Sequence, residues 1–61
     1  MNIGDNVKIK CGACKGLSAK IIAFETDDEG ITDIEIELIE GHGVWKAGET
    51  LSVRQYELEA E

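Results

Sequence analysis

The stretch GDNVKIKCGACKGLSAKII, residues 4–22, decides the fold of this 61-residue chain. Its first part, NVKIKC (6–11), alternates, so that Val7, Ile9 and Cys11 fall on one side and polar residues on the other. A period of two residues is typical of a strand with one buried face. The small residues of GACKG (12–16) then favour a tight connection. The stretch therefore predicts two strands joined by a glycine-built turn.

The second of these strands, LSAKIIAFE (17–25), carries apolar residues on both sides. Side chains alternate along a strand, so we expect Ile21 and Ala23 to share one face and Ile22 and Phe24 the other. A strand of this kind is either buried on both faces or has an exposed apolar face. We interpret the face with Ile22 and Phe24 as a binding surface.

The remainder of the chain continues the strand pattern and contains no helical period. The clearest strand is ITDIEIELIE (31–40), where Ile34, Ile36 and Leu38 face inward and the acids between them face water. The preceding TDDEG (26–30) predicts a hairpin loop and lacks the ligand spacing of an EF-hand. Glycines flank a short piece around Trp45, and TLSVRQYELE (50–59) supplies the last strands. We therefore expect one all-β domain over residues 1–61, a small five-stranded barrel.

The N-terminal pattern also resembles a KOW motif. Such motifs have Gly-Asp-x-Val at a first strand, a glycine loop, and then Lys-Gly-x-x-Gly-x-Val leading into a second strand. An alternating strand, a turn and a short closing strand follow at the end of such domains, as in ETLSVRQYELE (49–59). The matching positions are Gly4, Asp5, Val7, Gly12, Lys15, Gly16 and Ile21.

This resemblance implies an SH3-like barrel of the kind found in NusG-type transcription factors and large-subunit ribosomal proteins. Those domains bind RNA or protein, often through the loop between the first two strands, which corresponds here to Gly12–Gly16. The chain departs from the pattern at Ala19, which stands where the family has its second glycine. It departs also in its acidity, because ribosomal members are expected to be basic.

The net charge of the chain favours some classes of partner over others. Thirteen acidic residues against six basic ones give a net charge of -7, which disfavours nucleic acid and anionic membranes. The acidity favours a basic protein partner. The alternative is nucleic-acid binding through four lysines in the first third of the chain, Lys8, Lys10, Lys15 and Lys20.

Cys11 and Cys14 form a CxxC, a spacing used by metal and redox sites. Zinc normally takes four ligands, and the only further candidate of its usual kind is His42, which lies between two glycines. A redox CxxC would require a helix after the second cysteine, and none is predicted. We interpret Cys11 as an inward residue of the first strand, Cys14 as a loop residue and His42 as an exposed turn residue. We expect no metal, no cofactor and no catalysis.

The sequence therefore predicts a non-catalytic interaction module with an unknown protein partner, and the apolar strand face is compatible with a homodimer. Without an export signal or an apolar run of membrane-spanning length, we expect a cytoplasmic protein with reduced thiols. The predicted binding residues are Gly12, Lys15, Gly16, Ile22, Phe24 and Trp45.

Overall fold

A computed structural model describes residues 1–61 and contains one antiparallel five-stranded sheet. The strands are β1 (Asn6–Ile9), β2 (Ser18–Thr26), β3 (Thr32–Leu38), β4 (Thr50–Val53) and β5 (Leu58–Ala60). A single 3₁₀ turn, Gln55–Glu57, connects β4 to β5 and is a helical element that the sequence pattern did not predict. The predicted all-β class with five strands is confirmed. No helix is long and apolar enough to cross a membrane.

The strands lie in the order β4-β3-β2-β1-β5, so β1 through β4 pair as consecutive neighbours and β5 returns to β1. Val7 lies opposite Ala60, and Ile9 lies opposite Leu58. The two end strands, β4 and β5, do not pair with each other. Closure of the sheet into a barrel through its backbone ladder therefore stays a prediction.

The core lies on one face of this sheet and is entirely apolar. Cross-strand partners build it in rows: Val7, Ala19 and Leu38 form one row, and Ile21 and Ile36 belong to the next. The inward side of β3 is confirmed, because every second residue is buried and the acids alternate with them. The ten buried residues are Val7, Ile9, Cys14, Leu17, Ala19, Ile21, Ile34, Ile36, Leu38 and Leu58.

A β-bulge in β2 corrects the predicted sides of this strand. The register of β2 against β3 shifts between Ile21 and Ala23, so Ile22 is an extra residue without its own partner. An extra residue reverses the alternation beyond it. Phe24 consequently lies opposite the buried Ile34, on the core side. The expectation that Ile22 and Phe24 share a second face is wrong.

The first strand is shorter than its alternation predicts, so both cysteines lie in the β1–β2 loop. β1 ends at Ile9, whose N–H donates to the Leu17 carbonyl at 2.9 Å and whose carbonyl accepts from Gly16 at 2.7 Å. The following turn carries Cys14 back into the core, where it is 6% exposed, whereas Cys11 is half-buried. The expectation that Cys11 is an inward residue of the first strand is therefore wrong, whereas Cys14 is a loop residue as predicted, although its burial was not predicted.

Candidate binding groove

A groove of about 180 Å³ opens beside the core where the β1–β2 loop faces β4. Seven of its ten lining residues are hydrophobic, among them Ile9, Trp45, Leu51 and Val53. Trp45, Leu51 and Val53 are half-buried and pack against the core cluster. The groove is thus a continuation of the core to the surface, and an apolar side chain entering it would remove further apolar area from water.

Trp45 reaches the groove because a tight turn in the β3–β4 connection holds it. The His42 N–H donates to the Trp45 carbonyl at 2.9 Å, and the Trp45 N–H donates to the His42 carbonyl at 3.0 Å. Gly41 lies under this turn, since a Cβ at that position would approach the Trp45 carbonyl oxygen to 2.9 Å. His42 itself is exposed, as predicted.

The β1–β2 loop forms the opposite wall and depends on a glycine backbone. Gly16 has φ of +92°, a conformation that residues with a Cβ rarely adopt. The Lys15 N–H donates to the Gly12 carbonyl at 3.2 Å, and the Leu17 N–H donates to the Cys14 carbonyl at 3.0 Å. These bonds fold the loop into consecutive turns that present its small residues to the groove.

The thiol of Cys14 lines the groove without being activated there. Burial raises the pKa of Cys14, and the negative charge of Glu49 raises this pKa further. A thiol with a raised pKa stays protonated at neutral pH, and nucleophiles and metal ligands are thiolates. No three side chains of the metal-binding types lie together in the structure. This arrangement supports a packing role for Cys14.

The structure brings together only part of the predicted binding surface. Gly12 and Trp45 line the groove, whereas Lys15 and Gly16 lie in the same loop without lining it. Ile22 and Phe24 lie elsewhere, on β2.

Sequence reasoning missed several lining residues. Leu51 and Val53 alternate with polar residues in the sequence, and this signal could have placed both beside Trp45. Nothing in the sequence predicted that Cys14 would join them, because its burial depends on how the loop turns.

A second concavity of about 390 Å³ adjoins the groove and is mainly polar. Ser52, Val53 and Glu57 line both, and Tyr56, Arg54 and Asp33 complete the second. Arg54 donates to Asp33 at 2.5 Å in an ion pair whose side chains are about half exposed. The Glu57 side chain accepts from the Arg54 backbone N–H at 2.8 Å, which fixes the 3₁₀ turn. A carboxylate therefore lies where the apolar and polar concavities meet.

Two of the four predicted lysines face glutamates across the sheet. Lys8 lies opposite Glu59 across the β1–β5 ladder, and Lys20 lies opposite Glu37 across the β2–β3 ladder. Opposite charges at facing positions of a sheet attract each other and offset each other's field. On this face of the sheet, glutamates therefore accompany Lys8 and Lys20 of the predicted cluster.

Comparison of the chain with protein-family models, with curated proteins and with solved structures gave no match. The KOW resemblance accordingly rests on the residues quoted above.

Proposed function

We propose that the protein is a small non-catalytic interaction module of the KOW-like, SH3-like type that binds a protein partner through the Trp45 groove. The single observation that carries this proposal is the position of Trp45, half-buried at the mouth of an apolar groove continuous with the core. Tryptophan in a partly desolvated pocket is a frequent anchor of protein interfaces. The return of the short β5 to β1 is compatible with the architecture that the resemblance implies.

The chemistry of the partner follows from the surroundings of the groove. An apolar side chain of the partner would fill the concavity between Trp45 and Leu51. Glu57 at the rim and the net charge of -7 favour basic residues beside that side chain. We therefore propose a basic protein partner that inserts one apolar residue.

Nucleic acid is the second candidate, and the structure supports it less. A polyanion would have to approach Lys8 and Lys20 against the facing Glu59 and Glu37. Affinity for nucleic acid depends on basic side chains that neutralise phosphates and release counterions. A basic protein partner, by contrast, would be attracted by the net negative charge of the protein.

The test compares Trp45→Ala with Val44→Ala, which changes the adjacent side chain, 85% exposed in the same turn. Affinity capture with the wild-type protein would identify the partner, and the purified partner would then be titrated against each variant. Because Trp45 is the only tryptophan, its fluorescence reports directly on the groove. We expect a blue shift on binding, a loss of at least about tenfold in affinity for Trp45→Ala and little change for Val44→Ala.

Equal affinity of both variants would contradict the proposed site. A partner whose binding leaves Trp45 fluorescence unchanged would contradict it as well. If the affinity capture with the wild-type protein yields only RNA, the proposed class of partner is wrong.

A further inference from the structure

Half of strand β2 has an unpaired backbone side. On the side facing β1, the last backbone hydrogen bonds of β2 join Ile21 to the residues that precede β1. The Gly4 N–H donates to the Ile21 carbonyl at 2.8 Å, and the Ile21 N–H donates to the Asp5 carbonyl at 3.0 Å. The chain turns away there, because Asp5 donates back to the Asn2 carbonyl at 3.1 Å. Residues 23–26 pair with β3 only, and the bulged Ile22 has no partner in either ladder. We refer to the unpaired side of these residues as the β2 edge.

The ladder identifies which backbone groups the β2 edge presents. In an antiparallel pair, the N–H and C=O of one residue point to the partner strand and those of the next point away. The Asp27 N–H donates to the Ile31 carbonyl at 2.9 Å, so Asp27 points toward β3 and Glu25 does likewise. Phe24 and Thr26 therefore direct their N–H and C=O groups away from the sheet. Such a row of free donors and acceptors is a template for an added strand.

The side chains along the β2 edge differ between its two faces. Phe24, 39% exposed, lies on the core face because it is opposite the buried Ile34, and Thr26, two residues further along the uninterrupted strand, shares that face. Glu25 is exposed on the opposite face and lies across from Asp33. Asp33 is already paired with Arg54, so an incoming strand would meet an apolar ring on one face and the Glu25 carboxylate on the other.

A second copy of the chain fits this edge poorly. Two copies could pair antiparallel through the free backbone groups of Phe24 and Thr26. In that register, Phe24 of one copy lies opposite Thr26 of the other. The same register sets Glu25 directly opposite Glu25. Like charges facing each other across two strands are destabilising, and each copy also carries a net charge of -7. Charge complementarity favours a partner strand with a basic residue at that position.

We infer that the β2 edge binds an extended segment of a basic partner protein by strand addition. A Lys or Arg of the segment lies opposite Glu25, and apolar residues on either side of it lie opposite Phe24 and Thr26. The edge shares no residue with the Trp45 groove. The inference therefore goes beyond the proposed function and can fail or succeed independently of it.

The experiment titrates isotope-labelled protein with the peptide Thr-Val-Lys-Val-Lys-Val-Thr and, separately, with its charge-reversed form Thr-Val-Glu-Val-Glu-Val-Thr. Amide shifts and amide exchange rates are followed residue by residue. We expect the lysine peptide to shift the amides of Phe24 and Thr26 and to slow their exchange. The glutamate peptide should bind at least about fivefold more weakly, because it opposes Glu25 with a like charge.

Two variants with a matched control connect binding to the β2 edge. Thr26→Pro removes one edge N–H without removing a bond of the β2–β3 ladder and should weaken the lysine peptide at least about tenfold. Thr32→Val is the control, since it also loses the 2.9 Å hydroxyl contact between Thr26 and Thr32 but keeps the Thr26 N–H. Glu25→Lys keeps the backbone intact and should reverse the preference toward the glutamate peptide.

The inference is overturned if the lysine peptide shifts neither the Phe24 nor the Thr26 amide in large excess. It is also overturned if the shifts surround Trp45 instead, or if concentration-dependent self-association protects both amides in the absence of peptide. Should Thr26→Pro not fold, the charge preference of Glu25→Lys decides, and an unchanged preference would refute strand addition at this edge.

Discussion

Phe24 lies directly opposite Ile34 across the β2–β3 ladder, yet Phe24 is 39% exposed and Ile34 only 2%. The bulge at Ile22 places both side chains on the core face, but Phe24 lies at its rim because β1 does not extend along this part of β2. One cross-strand pair thus joins a core residue to a surface residue.

This difference predicts unequal costs of truncation. Ile34→Ala should lower the free energy of unfolding by about 2–4 kcal/mol, since it leaves a cavity in a closed part of the core. Phe24→Ala should cost about 1 kcal/mol, because much of the ring is already in contact with water. Urea unfolding of both variants measures the two values. A larger loss for Phe24→Ala would show that the ring is buried in solution.

The raised pKa of Cys14 predicts a specific dependence of stability on pH. Because the pKa is higher in the folded protein than in the unfolded chain, the stabilising contribution is complete below the ordinary thiol pKa. It is lost as the pH rises from there through the raised pKa. Wild-type protein should therefore lose more unfolding free energy between about pH 8 and about pH 10.5 than Cys14→Ala.

Urea unfolding at both pH values checks this prediction, and Cys11→Ala serves as the matched control. Parallel losses in wild type and Cys14→Ala would contradict a buried neutral thiol. Alkylation offers an independent measurement, since Cys14 should react more slowly than the half-buried Cys11.

The close approach at Gly41 predicts that a single methyl group disturbs the groove. In Gly41→Ala the new Cβ would lie 2.9 Å from the Trp45 carbonyl oxygen, so the backbone of the turn must move. We expect a red shift of Trp45 fluorescence and a loss of about 1–3 kcal/mol in unfolding free energy, the usual range for overpacking. Lys46→Ala, at an exposed position beside Trp45, should change neither. An unchanged spectrum for Gly41→Ala would show that the turn adapts freely.

The facing charges predict weak binding of RNA. A short RNA of mixed sequence, titrated at low salt where electrostatic attraction is strongest, should not shift the amides of residues 11–20. Removing the facing acids in the double variant Glu37→Gln, Glu59→Gln should produce weak, salt-sensitive shifts near Lys8 and Lys20. Binding by the wild-type protein confined to residues 11–20 would restore the nucleic-acid alternative.

Regular alternation of apolar and polar residues predicted the inward side chains of strands that contain no bulge. In β3 the inward set of Ile34, Ile36 and Leu38 is buried, because an uninterrupted strand has a side-chain period of two. The bulge could not be predicted in this way, since Ile22 is apolar like its neighbours and composition alone does not identify an unpaired residue. Every assignment beyond Ile22 was consequently made for the wrong side of β2.

The groove was predictable only in part, because it joins segments that are distant in the sequence. Trp45 was identified by its residue type, and Gly12 by its place in a glycine loop. Their proximity depends on the return of the chain to β4, which no local pattern indicates. The burial of Cys14 could not be predicted for the same reason, since a turn of consecutive hydrogen bonds carries this loop residue into the core.

The return of β5 to β1 has a consequence for how this domain can be combined with others. Glu61 donates its N–H to the Asn6 carbonyl at 3.4 Å, so the polypeptide enters and leaves the sheet at one corner. Domains whose ends lie close together tolerate insertion into a host loop and circular permutation. A short glycine linker could therefore connect the two segments that meet at this corner while new ends are opened in the exposed β2–β3 hairpin. The same corner would allow the domain to be inserted into a single surface loop of another protein.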